Sequence, residues 1–307
     1  VLYLMSSSIL FLSVTGISFV VTALSGKFLI PFLHKLKFGQ TIREEGPKWH
    51  QKKQGTPTMG GIMFILGITI AVVIGRLFFP SVPIGITPLS DTKLFAGLFM
   101  AVGFGLVGFL DDYISVVKKR NLGLSERQKL VLQFVIAAAY LASCHIAGDT
   151  TETIIPFAGK IDLGLFYYLL SALVIVGIVN AVNFTDGIDG LNSIVCFFAF
   201  LGLGVCASII MSNGITVLAI AGASGCLGFL VWNFHPAKVF MGDTGSLFLG
   251  GLLCALAFGI DMPILLLPAG FISIVEIVSV VMQVTYFKAT NGKRIFKMTP
   301  IHHHFEM

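Results

Sequence analysis

Four stretches of the chain hold residues able to do chemistry. FLDDY sets Asp111 beside Asp112, and NAVNFTDGIDGL carries Asn180, Asn183, Asp186 and Asp189. WNFHPAKVFMGDTGS carries Asn233, Phe240 and Asp243, and PIHHHFE carries His302, His303 and His304. A fifth stretch, KKQGTPTMGG, adds Lys53, Thr58 and a glycine pair. Many carboxylates beside many cations suit Mg2+, a hard ion usually held by one or two carboxylates plus substrate phosphates. Lys, Arg and His supply the countercharge that a diphosphate needs. A helix start built from Thr and Gly suits a phosphate or nucleotide, although Thr-Pro is also an ordinary way to begin a helix.

Rival chemistries fit less well. Asp-Thr-Gly-Ser is the active-site signature of aspartic proteases, but a pepsin-like enzyme needs a β-rich scaffold and a second Asp-Thr-Gly half. An intramembrane aspartyl protease needs two carboxylates deep in facing spans, sharing a proton. Zinc wants converging ligands, whereas adjacent histidines point apart; phosphate binding by an extended loop suits the three histidines better. A transporter would place polar groups at the bilayer midplane on broken helices, commonly with internal repeats. Here the span centres are clean apart from Glu276 and the Pro268 region, and no repeat is evident.

The elements that must position these residues are membrane helices. Of 307 residues 56% are hydrophobic and 11% charged, against roughly 25% charged in soluble domains. With ~20 apolar residues needed per crossing, nine spans are predicted, at about 9–33, 59–79, 93–111, 128–147, 165–183, 191–211, 215–232, 246–260 and 263–287. The expectation is an all-α polytopic membrane protein, a single domain over residues 1–307. Pro268 and Gly270 predict a bend in the ninth span, and residues 148–164 a short hairpin. The five cysteines lie in apolar stretches without metal-ligand spacing and read as small core residues. The long first span, lacking a basic leader, predicts no cleavable signal peptide.

Sixteen of the twenty Lys and Arg fall in loops on one side of this topology. That side is expected to be cytoplasmic, with the N-terminus and the hairpin outside. Every chemistry-bearing cluster reaches the same cytoplasmic face. Carboxylates at the ends of apolar helices are costly to desolvate and usually functional. For Glu276, inside the ninth span, a hydrogen-bonded structural role is favoured over a functional one.

In order and spacing, FLDDY, NAVNFTDGIDGL, FMGDTGSL and PIHHHFE resemble the polyprenyl-phosphate N-acetylhexosamine-1-phosphate transferase superfamily. GTPTMGG and PIHHHFE are similar, more specifically, to its phospho-N-acetylmuramoyl-pentapeptide-transferase family. The resemblance implies transfer of phospho-MurNAc-pentapeptide from UDP-MurNAc-pentapeptide to undecaprenyl phosphate in the bacterial cytoplasmic membrane, giving lipid I and UMP with Mg2+. It also implies a homodimer of ten-span subunits; here the tenth span would follow PIHHHFE, beyond Met307. A sister enzyme using UDP-GlcNAc shares the Asp clusters and is the nearest alternative, with a transporter the alternative of a different class.

Matched to the family motifs, Asp243 becomes the Mg2+ ligand. Asp111 and Asp112 would bind or orient the acceptor phosphate or handle its proton, Asp111 ranking first; ~100° apart on a helix, they are not expected to share one role. Asn183, Asp186 and Asp189 would line the nucleotide and metal pocket, Asn233 would bond the uracil and Phe240 stack on it. Lys53 and Thr58 would close over the nucleoside, and His302 and His303 would meet the diphosphate or the muramoyl part. Gln283 is either a pocket residue or a packed amide. An acceptor phosphate that is largely dianionic at neutral pH favours direct in-line attack, with a covalent aspartyl-phosphate route also open.

Overall fold

The computed structural model describes residues 2–35, 55–78, 88–117 and 123–307. Among these, nine helices are long and apolar enough to cross a membrane. They are α1 (Leu2–Lys35), α2 (Gly61–Phe78), α3 (Pro88–Val117), α4 (Glu126–Ile146), α5 (Phe166–Thr185), α6 (Leu191–Ile209), α7 (Asn213–Asn233), α8 (Gly242–Gly259) and α10 (Phe271–Ala289). A short α9 (Leu266–Ala269) precedes α10, and α11 (Ile301–Glu306) follows it. The chain is a polytopic α-helical membrane protein. Its outer helices carry large exposed apolar side chains such as Leu12, Phe28, Phe99 and Val281, which is how a helix face contacts lipid rather than water.

At the centre stands α8, buried at every position from Thr244 to Gly259. It packs against α2, α3, α5 and α6. Between helices in lipid, close packing and hydrogen bonds replace the hydrophobic drive, and both are present. Phe64 of α2 meets Phe229 of α7 edge-on at 5.2 Å and lies 5.9 Å from Phe248 of α8. Trp232 Nε1 donates to Ala23 O at 2.8 Å, tying α7 to α1. Gln133 and Asn180 exchange amide hydrogen bonds between α4 and α5, at 2.7 and 3.4 Å.

The hairpin between α4 and α5 forms from β1 (Glu152–Ile155) and β2 (Gly159–Asp162), antiparallel with Glu152 opposite Asp162. Beneath it Lys93 of α3, 5% exposed, pairs with Asp149 at 3.0 Å and Asp261 at 2.5 Å, and Ile154 N donates to Asp261 O. Burial pushes the Asp261 carboxyl above its ordinary range despite the opposing pull of Lys93. This ion cluster closes the end of the bundle opposite the Asp243 region.

Three expectations needed correction. The ninth span breaks in two: a 3-10 turn at Pro263–Leu265 and α9 end at Gly270, and α10 begins at Phe271. Second, α8 starts at Gly242 rather than 246, because a partner from another helix satisfies its first N–H groups. Third, the histidines expected on an extended loop lie on α11, whose N-cap is Pro300.

Candidate active site

Asp243 sits in the first turn of α8, at the mouth of the bundle. Gly242 reaches it with φ of +68°, a left-handed conformation that glycine adopts at little cost. The orphan N–H groups of that turn are taken by Asp112 from α3. Its Oδ1 accepts Asp243 N at 3.3 Å, and its Oδ2 accepts Thr244 N at 2.9 Å and Thr244 Oγ1 at 2.7 Å. A carboxylate at a helix N-terminus is favoured by hydrogen bonding and by the helix dipole. Asp112 thus fixes where α8 begins and which way Asp243 faces.

The Asp243 carboxylate has two further partners. Asn183, near the end of α5, donates to Oδ1 at 2.9 Å, and the same amide nitrogen lies 2.7 Å from Ser246 Oγ. Lys129, in the first turn of α4, makes a short ion pair with Oδ2 and stands 4.0 Å from Asp111 Oδ2. The other oxygen of Asp111 accepts Leu124 N at 2.9 Å, which holds the start of α4 against the end of α3. Gly108 allows α3 to come this close: a Cβ there would lie 2.1 Å from Asp243 O.

So Asp111, Asp112, Asn183 and Asp243 converge, and Lys129 with them. Among the described residues no three or more His, Cys, Asp or Glu side chains form a group that could hold a metal ion. The donor set still fits a hard cation. Asp111 and Asp243 turn oxygens toward one positive centre, here the Lys129 ammonium, and ions such as Mg2+ draw most of their shell from substrate and water.

Around this centre the other predicted residues form two flanks. On one, the segment before α2 runs against the loop before α8: Phe240 N donates to Pro57 O, and Gly60 N and Gly61 N donate to Phe240 O and Met241 O. Thr58 is buried there, its hydroxyl 2.6 Å from where a Cβ on Gly242 would stand. Asn233 is 2% exposed; it accepts from Gly190 N and Ser193 Oγ and donates to Val239 O. Asp189 accepts Ala237 N at 3.1 Å and lies 3.0 Å from His235 Nδ1. Asn233 and Asp189 therefore shape the loop that carries Phe240. Lys53 lies outside the described residues.

On the other flank, Asp186 follows the end of α5, and His302 of α11 packs against neighbouring Gly187. His303 lies 3.2 Å from Glu306. Gln283 accepts Ile295 N and Phe296 N at 3.0 Å each and donates to Phe296 O. Its amide is engaged in folding residues 295–296 back onto α10.

Sequence reasoning missed Lys129, Ser246 and the Thr244 hydroxyl. Lys129 entered only as one of many loop charges. A cation four residues into an apolar helix, at the end where the chemistry-bearing Asp clusters gather, was the available signal.

The Glycosyl transferase family 4 profile matches residues 94–260, and phospho-N-acetylmuramoyl-pentapeptide-transferase signature 1 matches residues 53–65. The chain is similar to the phospho-N-acetylmuramoyl-pentapeptide-transferase of Bacillus licheniformis, 48% identical over 97% of this chain and 89% of the relative. It is similar to that of Bacillus subtilis at 47% identity, over 94% and 87%. For that of Listeria monocytogenes serotype 4b the identity is 46%, over 96% and 89%.

Proposed function

We propose, from the premise that this chain belongs to the phospho-N-acetylmuramoyl-pentapeptide-transferase family, that it joins UDP-MurNAc-pentapeptide to undecaprenyl phosphate, releasing UMP and leaving lipid I in the membrane. Membership makes it a multi-pass membrane enzyme of peptidoglycan synthesis that transfers phospho-MurNAc-pentapeptide. The observation that carries the finer reading is the meeting of Asp111, Asp243, Asn183 and Lys129 at the end of the bundle that also holds the signature segment and α11.

In this reaction an oxygen of the lipid phosphate bonds to the β-phosphorus of the donor. The bond from that phosphorus to the bridging oxygen breaks, and UMP leaves with the electron pair. With a second pKa near ~6, the acceptor is mostly dianionic at neutral pH and needs little from a general base. Two anions must instead be held together in line, so positioning and charge neutralisation dominate. Asp243, oriented by Asn183, and Asp111 would hold Mg2+ together with substrate phosphates. The ion supplies charge neutralisation of the diphosphate. Lys129 adds positive charge beside both carboxylates, and Asp112 keeps α8 in register.

Phe240 stacks on the uracil, presented by the loop that Asn233 and Asp189 hold, and Thr58 borders the same flank. Asp186 lines the pocket beside α11, where His302 and His303 face the diphosphate or the muramoyl group. The bias of Lys and Arg supports the reading that this end of the bundle is cytoplasmic, in the cytoplasmic membrane, and we propose that the enzyme works as a homodimer.

The test is UMP release by the purified protein in detergent, given undecaprenyl phosphate and either UDP-MurNAc-pentapeptide or UDP-GlcNAc, with and without Mg2+. Mg2+-dependent UMP from the muramoyl donor alone is expected. Release from UDP-GlcNAc alone would transfer the chain to the sister activity, and release without Mg2+ would remove the metal from the mechanism.

A further inference from the structure

Glu276 lies within α10 with a side chain 4% exposed, where an unpartnered carboxylate would be costly. Its partner comes from 26 residues away. Oε2 accepts the backbone N–H of His302 at 3.3 Å and stands 3.0 Å from His302 Nδ1, in ion-pair range without the alignment of a hydrogen bond. The imidazole is itself 6% exposed. Its Nε2 has no hydrogen-bond partner among the described residues and abuts Gly187, where a Cβ would stand 2.0 Å from that nitrogen. Gly187 belongs to the turn between α5 and α6 that carries Asp186 and Asp189.

The ring is therefore held from two sides. A carboxylate fixes its Nδ1 edge toward α10, and a residue without a side chain makes room for its Nε2 edge at the turn. Which nitrogen of an imidazole carries the proton is set by the group facing the other edge. Glu276 is itself buried, and its carboxylate contacts His302 at the start of α11.

We infer that Glu276 is a positioning residue for His302: it keeps the ring protonated at Nδ1 and turns Nε2 toward the Asp186–Asp189 turn. In the transfer reaction proposed above, on which this role rests, the buried ring then braces the turn that carries Asp186 and Asp189 beside the bound donor. Glu276 acts only through His302 and touches neither substrate.

Two measurements on the whole protein test this. In 15N-histidine NMR, the signals lost in His302→Ala identify the ring; in the wild type they are expected to show a proton on Nδ1. In the UMP-release assay, Glu276→Gln is expected to lower kcat about 10–100-fold, as loss of the group orienting a functional imidazole does. The KM for undecaprenyl phosphate should stay unchanged, and Glu276→Asp, which restores the charge, should recover part of the loss. Gly187→Ala pushes on the same ring from the other side and should lower kcat as well; it carries the kinetic test should Glu276→Gln fail to fold. A wild-type ring protonated at Nε2 alone, or a Glu276→Gln enzyme within twofold of wild-type kcat, would overturn the assignment. Absence of UMP from the wild type with the muramoyl donor would refute the reaction instead, with the NMR result still deciding the role of Glu276.

Discussion

Gly108→Ala is the sharpest perturbation of the proposed site, because it alters no polar group. A Cβ at 108 would stand 2.1 Å from Asp243 O, whereas ordinary contact begins at 3.4 Å. The obstacle is backbone, so it cannot rotate away. Relief requires α3 and the first turn of α8 to separate by the difference, about 1.3 Å. A misplacement of ~1 Å at a reacting group can cost ~10²-fold in rate, and here the displaced turn carries Asp243 while α3 carries Asp111 and Asp112. We expect kcat for UMP release to fall ~100-fold. Stability should change less: alanine raises helix propensity by up to ~1 kcal/mol, which offsets part of the strain. Gly202→Ala is the matched control, since a Cβ in that part of α6 meets nothing within 4 Å; its activity should equal wild type. The assay is steady-state UMP release at saturating substrates, with thermal unfolding in the same detergent. Gly108→Ala activity within twofold of wild type would show that the α3–α8 contact does not set the geometry of the site.

Three further perturbations probe separate parts of the reasoning. Asp243→Asn should reduce transfer by ~10³-fold or more while the protein still folds, given electrostatic losses of that order at single catalytic groups; wild-type-like turnover would sink the metal assignment. Phe240→Ala should raise the KM for the UDP-sugar ~10-fold, the lower end of what stacking on a base contributes, and equal rises for donor and lipid would contradict stacking. Asn180→Leu leaves Gln133, fully buried, without its amide partner and should destabilise by ~1–2 kcal/mol. The double variant Gln133→Leu/Asn180→Leu should recover much of that in an unfolding titration; strictly additive losses would mean that the two amides do not act as a pair.

The spans were legible because lipid imposes one simple demand, about 20 apolar residues per crossing, and because the polar clusters fell at span ends on one side. A bend in the ninth span was legible too, since Pro268 and Gly270 act locally, although the parting of the span into two helices was not. The sequence was silent wherever the cause is distant. Nothing near position 242 announces that α8 begins there; the cap is Asp112, 131 residues before Asp243. Lys129 looked like one basic residue among many until the fold set it against Asp243, 114 residues away. Gln283 left two readings open, and its hydrogen bonds to Ile295 and Phe296 now account for its amide. Asn233 and Asp189 were expected to meet the nucleotide directly, while their bonds lie with the loop that presents Phe240. Roles matched from family motifs do not distinguish contact from support.

That distinction also bears on the pair Asp111 and Asp112. Two adjacent carboxylates on an apolar helix cannot both face the same ligand, and the fold divides them. Asp112 has both oxygens engaged on the first turn of α8, accepting two N–H groups and one hydroxyl. Taking it away for proton chemistry would leave those donors unpaired and loosen the turn that aims Asp243. Asp111 has one oxygen on Leu124 N and turns the other toward Lys129 and the space beside Asp243. An acceptor phosphate that arrives already dianionic asks for a positioned charge rather than a strong base. The arrangement answers with one carboxylate that builds the site and one that faces it. The same division recurs at the far flank, where Glu276 holds His302 against the turn that carries Asp186. A site assembled at the ends of membrane helices, where loops are short and water is near, gains its rigidity from such buried partners rather than from the residues that meet the substrate.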